Sequence, residues 1–479
     1  MKLLEKGSPM YIGGEWVYSQ AIIEVRDPQD NSLVDTVPDA TVEDLLRAID
    51  KAVEGVDVAA TMTIKERMSV LQLAASYIEN RTEDYAVIIA REASKTIREA
   101  RKEVARAVET LRLSAEEARR VQGETINFDQ ATGGEDRVGY YYRFPIGLIA
   151  AITPFNDPLN LVAHKVGPAI AGGNAIIVKP ATMTPLSALK LAEAFEAAGL
   201  PSKVLTVITG RGSVIGDTLV RHPAVRMVSF TGGLDAGAHI AKIAGLKKLG
   251  MELGSNSPVI IMDDANLEEA VRATVSGAFW AAGQNCLGVQ RVFVQKSVYD
   301  AFLGRMVEKT KQVLIGDKLS EETGIGPLIT EKEAKRIEEW VTEAVEQGAH
   351  IEVGGRREGN YYLPTILTNV PPDVRVAKEE VFGPVVSIFP VEDLQEAIQL
   401  ANSVNYGLQA GIFTKDLDSA FKAIHQLHVG GVNVNDSSDY RLDAMPFGGV
   451  KGSGLGREGV KFALQEMTEP KVVCFKLEK

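Results

Sequence analysis

The sequence predicts an α/β protein built from two doubly wound parallel-sheet domains plus a separate β arm. Three observations carry this. Between Gly147 and Ala244 short apolar runs alternate with amphipathic stretches, as expected of parallel strands buried on both faces by helices. A second series of the same kind runs from Ser257 to about Asn435. Residues 121–145, from Gln122-Gly123-Glu124 to Arg143-Phe144-Pro145, are mixed and strand-like, and read as an arm leaving one domain.

The elements follow in order. Residues 40–118 read as helices: Thr41 precedes Glu43 and Asp44 as an N-cap should, and Ile64–Asn80 and Thr96–Arg119 repeat apolar residues every third or fourth position. The first α/β series then gives strands at Gly147–Thr153, Asn174–Lys179, Lys203–Ile208 and Val225–Phe230. Helices are expected at Pro185–Ala198, Ser213–Arg221 and Gly237–Ala244. The second series gives strands near 257–262, 290–295, 385–389 and 409–413. The expected domains are 1–120 with 146–251, binding a dinucleotide; 252–465, catalytic; and the arm, 121–145 with 466–479. Sheets of this kind bind ligands at the carboxyl ends of their strands.

At 479 residues the chain exceeds one compact core, and its 45% hydrophobic and 24% charged content is that of a soluble globular protein. A net charge of −12 argues against a nucleic-acid or anionic-membrane partner. Two distant cysteines cannot form a disulfide framework, so a reducing, cytoplasmic setting is expected. The start, Met1 to Gly7, lacks the apolar core of a secretory signal, and no run approaches the ~20 apolar residues of a membrane span. Six histidines show no metal-ligand spacing, so no metal site is expected.

The residues suited to chemistry are few. Cys286 follows Gly283-Gln284-Asn285, where a structural thiol would more often sit in an apolar stretch. Glu252 lies in Glu252-Leu253-Gly254, and a thiol nucleophile with a separate carboxylate base builds covalent acyl chemistry. Phe230-Thr231-Gly232-Gly233 falls where a strand meets a helix, and reads equally as a pyrophosphate turn or a plain tight turn. Lys179 ends a strand, in reach of a ribose or phosphate, or simply solvated. Asn156, in Thr153-Pro154-Phe155-Asn156, can donate to an oxyanion. Gly452-Ser453-Gly454-Leu455-Gly456 follows no clear strand and is read as a structural loop.

Together these segments, in this order, resemble the aldehyde dehydrogenase superfamily over nearly the whole chain. Lys179-Pro180-Ala181, Glu379-Glu380-Val381-Phe382-Gly383-Pro384, Pro446-Phe447-Gly448-Gly449 and Ser453-Gly454-Leu455-Gly456-Arg457-Glu458 extend the match. The resemblance implies a Rossmann-like cofactor domain and NAD or NADP as cofactor. It implies Cys286 as the nucleophile, forming a thiohemiacetal and then a thioester. Asn156 would form the oxyanion hole, Glu252 would activate water, and Lys165 would relay protons. Cofactor contacts are implied at Thr153, Phe155, Lys179, Thr182, Gly210, Phe230, Gly232, Gly233, Glu380 and Phe382. The arm implies a homodimer or homotetramer. Glu252 favours hydrolysis over acyl transfer to coenzyme A; a catalytically inactive structural relative is the non-enzyme alternative.

Several positions depart from the common pattern. Thr182 stands where the family often places a glutamate that would repel a 2′-phosphate, so NAD and NADP both stay open. Arg106 and Arg441 fall where non-phosphorylating glyceraldehyde-3-phosphate dehydrogenases place phosphate-binding arginines. His164 falls where succinate-semialdehyde dehydrogenases have arginine, and Asn285 replaces the arginine of the phosphate-binding subclass. Asp157 and Asn160 replace large apolar residues, leaving Phe447 as the obvious nearby aromatic. Arg106 and His164 fit packing roles equally well. The stretch 435–446 is most similar to the lactaldehyde and phosphonoacetaldehyde branch. The expected substrate is a small polar or anionic aldehyde: lactaldehyde, a semialdehyde, or one bearing a phosphonate or sulfonate.

Overall fold

The computed structural model describes residues 7–478; the segment Met1–Lys6, read above as lacking a secretory signal, lies outside them. After four short strands within residues 10–38, residues 42–118 are mainly helical, and three of their helices start where the sequence marks them. Val42–Thr61, Ile64–Glu79 and Ile97–Ala118 each open with a capping box, on Thr41 and Asp44, Thr63 and Glu66, and Thr96 and Glu99. Each box satisfies amides that a helix start leaves without partners.

The first sheet has eight strands, in the order Glu15–Val17, Met10–Ile12, Leu205–Val207, Ala175–Lys179, Leu148–Ile152, Val225–Thr231, Lys248–Glu252 and Gly454–Leu455. Its five central strands run parallel. Along them side chains alternate between two cores. Ile149, Ala151, Ile176 and Val178 enter one, while Leu148, Ala150, Ala175 and Ile177 enter the other. With both faces covered, the strands read as continuous apolar runs. Pairing sets Ile152 beside Lys179 and Phe230, and Thr231 beside Glu252. The carboxyl ends therefore line up along one edge.

The second sheet has seven strands, in the order His350–Val353, Thr365–Thr368, Val385–Val391, Val289–Gln295, Ser257–Ile261, Gln409–Phe413 and Gly431–Val434. All run parallel except His350–Val353. The four central strands are those expected from sequence. The other three escaped notice because they are only four residues long, too short to establish a period. Among the described residues, no helix is long and apolar enough to cross a membrane.

The arm is a three-stranded antiparallel sheet of Glu124–Ile126, Arg137–Pro145 and Thr468–Lys476. One expectation is corrected. The glycine-rich stretch 452–456 is not only a loop: Gly454–Leu455 pairs antiparallel with Met251–Glu252 and closes the first sheet at the candidate base. The chain then stays with the first sheet, since Leu464 and Met467 join its larger core.

Candidate active site

The site lies where the strands of the first sheet end. Helix Leu234–Ile243 starts at Gly233 with no side-chain cap, so its first amides are free. A Cβ built on Gly233 would meet nothing within 4 Å, so the turn is open to a ligand. Thr153 Oγ1 and Thr231 Oγ1 are buried without hydrogen-bond partners. Lys179 donates to the Pro180 carbonyl at 3.0 Å, and burial pulls its ammonium down to about 8. Thr182 reaches the Gly210 carbonyl only at 3.4 Å. Uncapped amides and orphaned hydroxyls along one edge fit a dinucleotide phosphate and ribose.

Across the cleft, Glu380 accepts from the Ser255 amide at 2.7 Å, and burial pushes it up to about 7. It fits there because residue 254 is glycine; a Cβ would come 2.3 Å from the carboxylate. Phe382, at φ 47°, packs edge-on against Phe155 with ring centroids 5.8 Å apart.

Cys286 follows a tight turn, Trp280–Gly283, in which Ala281 and Ala282 take left-handed φ of 51° and 56°. Such conformations cost about 1–3 kcal/mol each and need external fixing. The Ala281 amide donates to Glu99 Oε1 at 2.9 Å, and the Gln284 side chain bonds Ala281 O, Pro327 O and the Ile329 amide. Asn156 Nδ2 donates to the Gln284 carbonyl at 3.0 Å, which leaves its second N–H for a ligand beside the thiol. Burial pushes the Cys286 thiol up to about 12, with Glu380, Glu252 and Glu458 adding to it and Arg441 opposing.

Glu252 is buried, with Oε2 unpartnered. Burial and the neighbouring Glu458 raise its carboxyl well above the usual range, against Arg441, Lys165 and Arg457. Lys165 Nζ bonds Glu458 Oε1 at 2.7 Å and Ser229 Oγ at 3.1 Å, so it addresses Glu252 as a nearby charge. Burial also acts on Glu458, but Lys165, His164 and Arg441 hold it low. Glu458 was visible in sequence only as part of a motif.

A cavity of about 440 Å³ opens above Cys286. Of the expected substrate residues, Arg106, Asp157, Asn285 and Arg441 line it, together with Asn156. Lys95, Lys102, Trp280 and Asp439 line it too, and the sequence reading missed them. Lys95 and Lys102 come from the start of the Ile97–Ala118 region, whose periodicity shows a helix but not what it faces.

Three expectations are corrected: Asn160, His164 and Phe447 do not line the cavity. Asn160 is fully buried, accepting from Thr110 Oγ1 at 3.0 Å. His164 Nε2 lies 2.9 Å from Asp443 Oδ1, behind the wall. Asp443 in turn takes the Arg106 fork at 2.7 and 3.2 Å. Phe447 is buried beneath Arg441, whose guanidinium carbon sits 3.7 Å from the ring centroid. His164 and Phe447 thus back lining residues, Arg106 through Asp443 and Arg441 by stacking, whereas Asn160 bonds Thr110 behind the wall.

Arg441 is the outstanding group of the cavity. Its side chain is only 7% exposed, and its nearest carboxylate oxygens, on Glu458 and Asp443, are 3.6 and 3.9 Å away. Those are beyond hydrogen-bond length, and its Nε has no partner. A buried, under-bonded guanidinium beside a thiol is a ready anion site.

Two parallel-sheet units meet at a cleft that holds a thiol, a buried carboxyl and an open glycine turn, an arrangement that fits a dinucleotide-dependent dehydrogenase. The chain belongs to the aldehyde dehydrogenase family, whose sequence pattern matches residues 16–473. It is 52% identical over 452 residues to aspartate-semialdehyde dehydrogenase 1 of Pseudomonas canavaninivorans, covering 94% of this chain and 96% of that one. It is 47% identical to the 3-sulfolactaldehyde dehydrogenase of Priestia aryabhattai, covering 98% of each. Among solved structures, the NADP-dependent glyceraldehyde-3-phosphate dehydrogenase of Bacillus halodurans C-125, complexed with NADP, superposes with a TM-score of 0.96. That pair is 40% identical, covering 98% of this chain and 99% of the other.

Proposed function

We propose that the protein oxidises a small anionic aldehyde to its carboxylic acid with NAD or NADP, through a thioester on Cys286. The observation that carries this is Arg441: a buried guanidinium with an unpartnered Nε, lining the cavity that holds Cys286. The three relatives above are named for aldehydes that carry a carboxylate, a sulfonate or a phosphate, which supports the same reading.

Cys286 Sγ adds to the carbonyl carbon, and the oxyanion that develops is received by Asn156 Nδ2 and the Cys286 amide. The dinucleotide supplies the hydride acceptor. Glu252 then takes a proton from the water that cleaves the thioester. A carboxyl raised by burial is a stronger base near neutral pH than an exposed one. Lys165 and Glu458 hold a fixed charge pair beside it. Thr182 puts no carboxylate against a 2′-phosphate, which is compatible with either cofactor. The arm carries exposed Tyr142, Val472 and Phe475, and we assign it to pairing between copies of the chain.

The deciding experiment is a steady-state comparison of succinate semialdehyde, aspartate semialdehyde and glyceraldehyde 3-phosphate against lactaldehyde and other neutral or aromatic aldehydes, each with NAD and NADP. The expected result is preference for an anionic member. Preference for long-chain or aromatic aldehydes would overturn the proposal.

A further inference from the structure

The cavity has a second pole, opposite in chemistry to Arg441. Two carboxylates line it, Asp157 and Asp439, and they differ in their surroundings. Asp157 is committed: it pairs with Lys95, and Arg106 Nη1 lies 3.7 Å away. The other ion pairs of the wall join Lys95 to Glu103 and Arg106 to Asp443. Asp439 is in none of these. Its Oδ1 accepts from Asn285 Nδ2, and its amide reaches Ser437 Oγ at 3.4 Å. Burial then pushes its carboxyl up to about 7, with Asn285 and Arg106 only partly opposing. A lining carboxylate without a counter-charge is a binding group in want of a donor.

Its position is also fixed relative to the reacting atom. Asn285 immediately precedes Cys286; it donates to Asp439 and its Oδ1 accepts from the Leu287 amide at 3.1 Å. The Asn285 side chain thus ties Asp439 to the nucleophile loop on both sides of Cys286. Arg441 stands two residues along the chain from Asp439 on the same wall.

Building on the proposed oxidation of an anionic aldehyde, we infer that Asp439 reads a hydrogen-bond donor on that aldehyde, an ammonium or hydroxyl group near the reacting carbon. The substrate class is then an aldehyde that carries an anion for Arg441 and a donor for Asp439. Asp439 is a specificity-determining residue, and Asn285 positions it. A substrate lacking the donor leaves the carboxylate buried against the ligand with nothing to bind, which is how a polar site rejects an otherwise similar molecule.

The test uses matched anionic pairs that differ only in the donor: aspartate semialdehyde against succinate semialdehyde, and glyceraldehyde 3-phosphate against its 2-deoxy analogue, 3-oxopropyl phosphate. In the wild type, kcat/KM should favour the donor-bearing member of at least one pair by roughly 10–100-fold. In Asp439→Asn and Asp439→Ala that ratio should collapse toward one, whatever loss is common to both members. A wild-type ratio near one in both pairs, or a ratio that survives both substitutions, overturns the inference. Where a variant is too slow to assay, calorimetric binding of aspartate and succinate, the products of the first pair, reads the same ratio. Turnover of succinate semialdehyde with no donor preference removes only this inference. Absence of dinucleotide reduction with every aldehyde removes the underlying reading.

Discussion

Replacing Arg441 with alanine isolates the group on which the substrate assignment rests. The guanidinium makes no hydrogen bond to its carboxylate neighbours at 3.6 and 3.9 Å, and beyond a 3.4 Å contact from Nη2 to His164 Nε2 its donors are available to a ligand anion. A charge-assisted hydrogen bond is worth roughly 1.5–3 kcal/mol, or about 10–150-fold in kcat/KM. The fold should tolerate the change. Glu458 keeps Lys165 at 2.7 Å, and Asp443 keeps Arg106 at 2.7 Å and His164 at 2.9 Å. The stacking of Arg441 on Phe447 is lost, at about 0.5–2 kcal/mol. Arg441 is also the cation that opposes the rise of the Cys286 thiol, so turnover of every aldehyde should slow somewhat. The informative quantity is therefore a ratio, kcat/KM for succinate semialdehyde over that for butanal. It should fall by about 10–150-fold in Arg441→Ala and by less in Arg441→Lys, which keeps the charge but not the fork. A ratio within about threefold of wild type would refute anion recognition by Arg441.

Three further outcomes are expected. Glu252→Gln should release about one NAD(P)H per subunit in a rapid burst and then stall, because the thioester forms but is not hydrolysed; unchanged steady-state turnover would show that another base acts. In the protein without dinucleotide, the thiol pushed up to about 12 means that thiolate is scarce at neutral pH. Inactivation by iodoacetamide should thus rise about tenfold per pH unit from pH 7 to 9, and a flat profile would contradict the burial argument. Alkylation of the exposed Cys474 is separated from this by following turnover in place of total label. Asp443→Ala strips Arg106 and His164 of a shared buried partner and should cost about 2–4 kcal/mol, read by chemical unfolding; a loss below about 0.5 kcal/mol would show that the pair is solvated.

Much of this protein was legible in the chain alone. The parallel sheets announce themselves because a strand covered on both faces, such as Leu148–Ile152 or Ala175–Lys179, must be apolar throughout. The helix starts at Thr41 and Thr96 are written locally, since a capping box is a contact between residues three apart. Cys286, Glu252 and Asn156 stood out by their neighbours; Cys286 and Asn156 line one cavity, and Glu252 lies close enough to act on the thiol as a charge.

What the sequence could not supply is which side of an element faces the cavity, and who pairs with whom across it. Asn160 and His164 lie on a helix buried on all sides, so spacing gave no sign that they would turn to Thr110 and Asp443 and away from the ligand. Lys95, Lys102 and Asp439 reach the site from segments far from Cys286 in sequence. The free and the committed carboxylate, Asp439 and Asp157, are the same residue type; only the tertiary structure separates them, by placing Lys95 beside one and not the other. Local patterns record burial and capping because those depend on near neighbours along the chain. The charge state and availability of a cavity-lining group depend on neighbours in space, and these are decided only when distant segments meet.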